Sequence, residues 1–294
     1  MRIGYFADGP WSHKAIRKLI EDDTLKIVFV CARFDKQDQT LKVISENENI
    51  PFLTHPKINS DEFLKILDRF ECDILISMSF NQIFKKKIIS HPPKGIINCH
   101  AGKLPFYRGR NVLNWVLING EPEFGITVHY VDDGIDTGDI ILQQVYPISD
   151  SDNYSTLLSR AYQGCADLLY KAIKQIQDGS NERISQESIN PLGFYCSGRE
   201  VGDENLDWNQ TSMEIFNFVR AICKPGPQAR TFINGATVLI NKVIYLPEAS
   251  HYKGISGAVL SIRKDELIVK TNDSFIKVVE WSSDVKIKVG DRFK

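Results

Sequence analysis

Two polar side chains, Asn98 and His100, follow the apolar run Gly95-Ile96-Ile97 and precede a turn built on Gly102, Pro105 and Gly109. Residues two apart in a strand point the same way, so the amide and the imidazole share one face where a buried strand ends. An amide N–H is a fixed neutral donor, and an imidazole exchanges a proton near neutral pH. Together they suit a reaction in which an oxyanion develops while a proton moves. Downstream, the β-rich run 125–131 enters DDGIDTGD, a glycine-rich loop that offers Asp132, Asp133, Asp136 and Asp139. One of these carboxylates can orient the histidine.

The elements that must position these groups read as alternating strands and helices. Residues 2–7, 25–32 (LKIVFVCA), 73–78 and 139–145 are apolar enough for strands. Helices are expected over 13–21 with Ser12 as N-cap, and over 37–47 and 153–177. A further helix is expected over 61–70, with Phe63, Leu64 and Leu67 inward. This alternation implies right-handed crossovers and a Rossmann-like, mainly parallel α/β sheet. Its strand ends are where chemistry is placed. The first turn, DGPWS, has neither G-x-G-x-x-G nor G-x-x-x-x-G-K-[ST], so no dinucleotide or phosphate-cradling loop is expected.

Residues 108–118 (RGRNVLNWVLI) read as a helix with Asn111 and Trp115 on one face. Arg108 and Arg110 lie at its start, where guanidinium groups and free amides suit phosphate oxygens. Residues 179–189 are polar and read as a surface connection or strand pair, and 191–199 as a glycine-punctuated lid or wall that includes Tyr195. Beyond a helix over 212–223, five short β-rich runs (229–232, 237–246, 257–262, 266–271 and 276–281) suggest a smaller OB-like domain. The expected division is 1–200 and 201–294. Apolar strand faces at 238–240 and 278–281 call for cover, which a homodimer would supply.

With 294 residues, 43% hydrophobic and 25% charged, the chain has ample core for two domains and no compositional sign of disorder. A net charge of -1 argues against a polyanion partner, so no nucleic acid is expected. Lys85-Lys86-Lys87 reads as a solvated helix face. The six cysteines form no C-x-x-C pair, which disfavours a zinc site and fits a reduced cytoplasmic setting. No signal segment is evident, and no stretch approaches the ~20 apolar residues of a membrane span.

The Asn-x-His pair, the string HAGKLPFYRGRN and the downstream Asp-Thr-Gly resemble the formyltransferase family that uses N10-formyltetrahydrofolate. The likeness spans residues 1–190 and continues more weakly to the C-terminus. There, LDWNQTSMEIFNFVRAICKPGPQARTF is similar to the start of the family's second domain. HAGKLPFYRGRN looks like the branch that formylates nucleotide-linked amino sugars. Matched position by position, the resemblance implies Asn98, His100 and Asp136 as catalytic residues. It places Met78, Ser79, Phe80, Ile83 and Asp133 at the folate. Arg108, Arg110, Asn111, Trp115 and Tyr195 then fall at the acceptor. It implies formyl transfer to a primary amine with neither metal nor covalent intermediate. The expected acceptor is a dTDP-4-amino-4,6-dideoxyhexose used in surface-polysaccharide synthesis; methionyl-tRNA is the alternative, and a non-catalytic folate- or nucleotide-binding protein is a third reading.

Overall fold

The apolar run RIGYFA forms β1 (Arg2–Ala7), buried on both faces from Ile3 onward. It is followed by α1 (Gly9–Ile20), β2 (Lys26–Ala32), α2 (Gln39–Asn47), β3 (Phe52–Thr54), α3 (Asp61–Leu67) and β4 (Ile74–Met78). Next come α4 (Lys86–Ile89), β5 (Ile96–His100), β6 (Arg108–Gly109), α5 (Val112–Ile118), β7 (Glu123–Tyr130) and β8 (Ile140–Pro147). After α6 (Tyr154–Asp178), α7 (Gln186–Ile189), β9 (Tyr195–Cys196) and α8 (Ser212–Ile222), the chain ends in β10 (Ala229–Ile233), β11 (Ala236–Ile244), β12 (Val259–Arg263), β13 (Glu266–Lys270) and β14 (Phe275–Ser283). This computed structural model describes Met1–Lys294 and divides into two units. The first holds Met1–Gly109, Phe124–Tyr146 and Ser159–Tyr195; the second holds Arg110–Glu123, Pro147–Leu158 and Cys196–Lys294.

The first unit contains a seven-stranded sheet in the order β3-β2-β1-β4-β5-β7-β8. The β3, β2, β1, β4 and β5 strands run parallel and β7 is antiparallel to β5, so the expected mainly parallel α/β architecture is present. Strands of this kind are near-continuously apolar because helices cover both faces. An aromatic core fills one side: the Phe6 ring meets Phe29, Phe63, Phe80 and Phe84 at centroid distances of 5.1–5.9 Å. On α6, the apolar row Ala161, Cys165, Leu168, Leu169, Ala172, Ile173 and Ile176 is fully buried at helical spacing.

Local backbone chemistry shifts some expected boundaries. α1 starts at Gly9, with Asp8 in the N-cap position and Pro10 in the first turn, so Ser12 lies inside the helix and donates to the Gly9 carbonyl at 2.7 Å. Proline's fixed φ favours that earlier start. The helix expected over 108–118 begins only at Val112, because Gly109 (φ 95°) and Asn111 (φ 53°) adopt left-handed backbone that no α-helix accommodates. Within the polar 179–189 stretch, Ile184 bridges Ile140 and the one-turn α7 follows.

In the second unit, α5 packs on α8, and Asn114 donates to the Ala221 carbonyl at 2.5 Å. α8 begins in a capping box formed by Thr211 and Glu214. The expected β-rich region is a five-stranded antiparallel sheet in the order β10-β11-β14-β13-β12. Its edges are bridged by the last residues: Phe232 exchanges two hydrogen bonds with Lys294, Phe293 donates to Gly257 and Val259 donates to Asp291. On the strand faces at 238–240 and 278–281, Val238, Ile240 and Val278 are buried, with α8 packed on β11 and β14, and Trp281 is half-buried. No helix is long and apolar enough to cross a membrane.

Candidate functional site

β5 ends in Asn98-Cys99-His100, and β7 runs beside it with His129 opposite Asn98 and Thr127 opposite His100. Strand alternation turns Asn98 and His100 to one side. Cys99 points the other way, toward α6, where its thiol contacts the Cys165 carbonyl at 3.7 Å. The neighbouring Cys165 side chain and full burial push the Cys99 thiol up, away from the thiolate form.

Asp136 sits among these groups on the loop after β7, with its backbone at φ 55°. Its Oδ2 accepts the Gly109 N–H at 2.9 Å and lies 3.5 Å from His100 Nδ1. Its Oδ1 lies 3.5 Å from both His129 Nε2 and Asn98 Nδ2. Burial alone would push this carboxyl up. The positive ends of His100 and His129 and the Gly109 N–H outweigh it, so Asp136 is held well below the usual carboxylate range and is ionised at neutral pH.

Backbone carbonyls fix both rings. His100 Nε2 donates to Tyr107 O at 2.7 Å, which leaves Nδ1 toward Asp136; His129 Nδ1 donates to Tyr130 O at 2.7 Å, which leaves Nε2 facing the Asn98 amide at 3.2 Å and Asp136 Oδ1 at 3.5 Å. The Asn98–Asp136 contact is long enough for that N–H to turn to an incoming oxygen, and such contacts tighten when substrate binds. His129 was not singled out in the sequence; its role arises from pairing with Asn98 across β5 and β7.

Gly102 makes room for the His100 ring. A Cβ there would lie 2.5 Å from both His100 Nε2 and Tyr107 O. Gly102→Ala should keep the fold by circular dichroism yet lower turnover about tenfold or more, because the imidazole must leave its place. Wild-type turnover in the folded variant would show that the ring's placement is immaterial.

The expected folate residues lie one strand away, since β4 pairs with β5 through Ser77 and Asn98. Met78 is buried, Ser79 turns the chain at φ 59°, Phe80 packs on Phe6, and Ile83 is 63% exposed. Asp133 is exposed on the loop, while Asp132 ties that loop together by accepting from Gly134 N–H and the Thr137 hydroxyl. The five acceptor candidates divide between the units. In the first, Arg108 is only 7% exposed, its guanidinium bonded to Gln186 and lying over the Tyr195 ring, so it is not poised for a phosphate. Tyr195 is 54% exposed. In the second, Arg110 is exposed, Asn111 accepts from Arg199 N–H and Trp115 donates to Ser197 O.

A family model described as formyl transferase matches residues 1–173, and one for the C-terminal domain of formyl transferases matches 200–290. The methionyl-tRNA formyltransferase of Syntrophus aciditrophicus is 36% identical over 200 residues, 68% of this chain and 63% of that protein. That of Citrifermentans bemidjiense is 30% identical over 301 residues, 99% of this chain and 92% of that protein. Among solved structures, WlaRD, a sugar 3N-formyl transferase crystallised with dTDP and 5-N-formyl-THF, shares the fold with a TM-score of 0.70 at 23% identity. That match covers 98% of this chain and 99% of WlaRD.

These relatives correct the acceptor expected from HAGKLPFYRGRN. Sequence similarity at 28–36% runs to methionyl-tRNA formyltransferases, whereas the sugar enzyme shares fold alone. Two further readings of that stretch also differ: Arg108 is bonded to Gln186 inside the protein, and the helix expected over 108–118 begins only at Val112. The exclusion of nucleic acid falls with the sugar acceptor, since a net charge sums opposite faces and does not fix any one surface. With both family models matched in order along its length, the chain belongs to the formyltransferase family.

Proposed function

We propose that this chain transfers a formyl group from N10-formyltetrahydrofolate to the α-amino group of methionyl-tRNA. The observation that carries the reading is the 30% identity to a methionyl-tRNA formyltransferase along 99% of the chain. The donor is a substrate, not a resident group. The turn at Met78, Ser79, Phe80 and Ile83 offers apolar surface one strand from His100, which suits a pterin ring, and Asp133 is exposed on the loop after β7.

In this reading the amine lone pair attacks the formyl carbon, and the carbonyl electrons move onto oxygen as the tetrahedral centre forms. The C–N bond to the folate nitrogen then breaks, the electron pair returns to that nitrogen, and the proton lost by the amine is delivered to it. The Asn98 N–H meets the oxyanion. His100, held by Tyr107 O, presents positive charge beside it and relays the proton. The ionised Asp136 stabilises cationic charge on the attacking nitrogen and on the imidazole. Tyr195 supplies an exposed ring for the acceptor.

Incubating the purified protein with N10-formyltetrahydrofolate and methionyl-tRNA should yield formylmethionyl-tRNA, at a rate that falls as salt is raised because phosphate contacts release counterions. Formylation of a nucleotide-linked amino sugar with methionyl-tRNA untouched would overturn the acceptor and leave the family chemistry standing.

A further inference from the structure

We infer that Gln186 is a positioning residue for the Asp136 carboxylate. It rests on the catalytic role given to Asp136 and not on the identity of the acceptor. Gln186 opens α7, is only 2% exposed, and uses both ends of its amide. Its Nε2 donates to the carbonyls of Asp136 and Gly138, each at 2.8 Å. Its Oε1 accepts from Arg108 Nε at 3.1 Å and Arg108 NH2 at 2.7 Å. Arg108 is followed by Gly109, whose N–H holds the Asp136 carboxylate.

The contacts close a ring: Asp136 carboxylate, Gly109 N–H, Arg108 guanidinium, Gln186 amide, Asp136 carbonyl. Two segments that meet at the active site are thereby held in register by one side chain. The need for such a clamp is local. Asp136 has a left-handed backbone at φ 55°, which costs a non-glycine residue energy and persists only where surroundings over-determine it. Gly138 is equally confined, since a Cβ there would fall 2.0 Å from Tyr130 O. Asp132 ties the exposed side of the loop, and Gln186 holds its buried side. A glutamine is suited to this because one planar group presents two donor hydrogens to the carbonyl pair and an acceptor to the guanidinium fork.

Release of the clamp should let Asp136 relax toward an ordinary backbone and leave His100, His129 and the Gly109 N–H. Two variants separate the parts of the ring. Gln186→Glu keeps the size and the Arg108 contacts but places an oxygen against two carbonyls. Gln186→Met removes every hydrogen bond without adding charge. Both should lower kcat roughly 10- to 100-fold, as expected when a catalytic group is misplaced by about 1 Å, with the KM for the folate donor changed less than twofold. The decisive readout needs no substrate: the carbon-13 signal of the Asp136 carboxyl, titrated in full-length protein, should move its midpoint upward toward the free-carboxyl value in both variants. An added charge at 186 would also raise it in Gln186→Glu, so the neutral Gln186→Met carries that arm. Should Gln186→Met not fold, the kcat of Gln186→Glu decides. An unchanged Asp136 titration in folded Gln186→Met, or wild-type kcat in folded Gln186→Glu, would overturn the assignment. Failure to act on methionyl-tRNA would leave the titration result untouched.

Discussion

Asp136→Asn is expected to lower kcat by about 10²–10⁴ in protein that still folds, because it deletes the one anion that faces His100, His129 and Asn98 together. Asn substitutions at Asp132, Asp133 and Asp139 should cost far less. Asp132 only ties its own loop, Asp133 is exposed, and Asp139 pairs outward with Arg183 at 3.3 Å. Parallel steady-state kinetics on the four variants makes the comparison, and equal loss at Asp133→Asn would refute the assignment. A stability signature accompanies it. A carboxyl lowered on folding contributes stability that is present above its unfolded value of about 3.9 and is lost as pH falls through the lower folded value. Thermal melts below about pH 4 should therefore fall more steeply for the wild type than for Asp136→Asn.

His100→Asn and Asn98→Ala form the second large pair of effects, roughly 10²–10⁴ and 10²–10³ in turnover. The two side chains share a strand face and meet the same charge, so the double variant should lose much less than the product of the single losses. Full multiplicativity would mean that they act on separate steps. For either single variant, near-wild-type turnover in folded protein would remove that residue from the chemistry. Donor binding, followed by the quenching of tryptophan fluorescence, should change little, which separates lost chemistry from lost substrate.

The shared strand face of Asn98 and His100 was legible because it rests on a spacing of two, which is written locally. Asp136 needed a family resemblance to be chosen from four aspartates, since nothing local marks the one whose backbone turns left-handed. His129 was illegible for a different reason: its partner lies 31 residues earlier and is reached only through the β5–β7 register. Gln186 lay in a polar stretch that reads as surface, and a buried glutamine is betrayed only by the carbonyls it meets. The Tyr107 carbonyl and Gly109 N–H are backbone groups and leave no imprint on residue identity. Arg108 shows the converse error, a cation read as a phosphate ligand whose partners are inside the protein. The strand and helix sequence was readable wherever burial imposed an unbroken apolar run, and misplaced where Pro10, Gly109 and Asn111 set the backbone.

The second unit is assembled from three stretches of chain, so the polypeptide passes between units at 109/110, 123/124, 146/147, 158/159 and 195/196. This bears on the order of folding. α5 buries Val112, Leu113, Val116 and Leu117, and its hydrogen-bond partner Ala221 stands 107 residues further along the chain from Asn114. Loop-closure entropy must be met before such a contact returns any stabilisation, and non-local pairing of this kind slows folding. During synthesis α5 thus emerges with its apolar side uncovered and waits about 100 residues for α8, which at 5–20 residues per second is roughly 5–20 seconds of exposure. A polypeptide ending near residue 200 would never receive that cover, so it is expected to be recovered poorly in soluble form, with the apolar side of α5 left open.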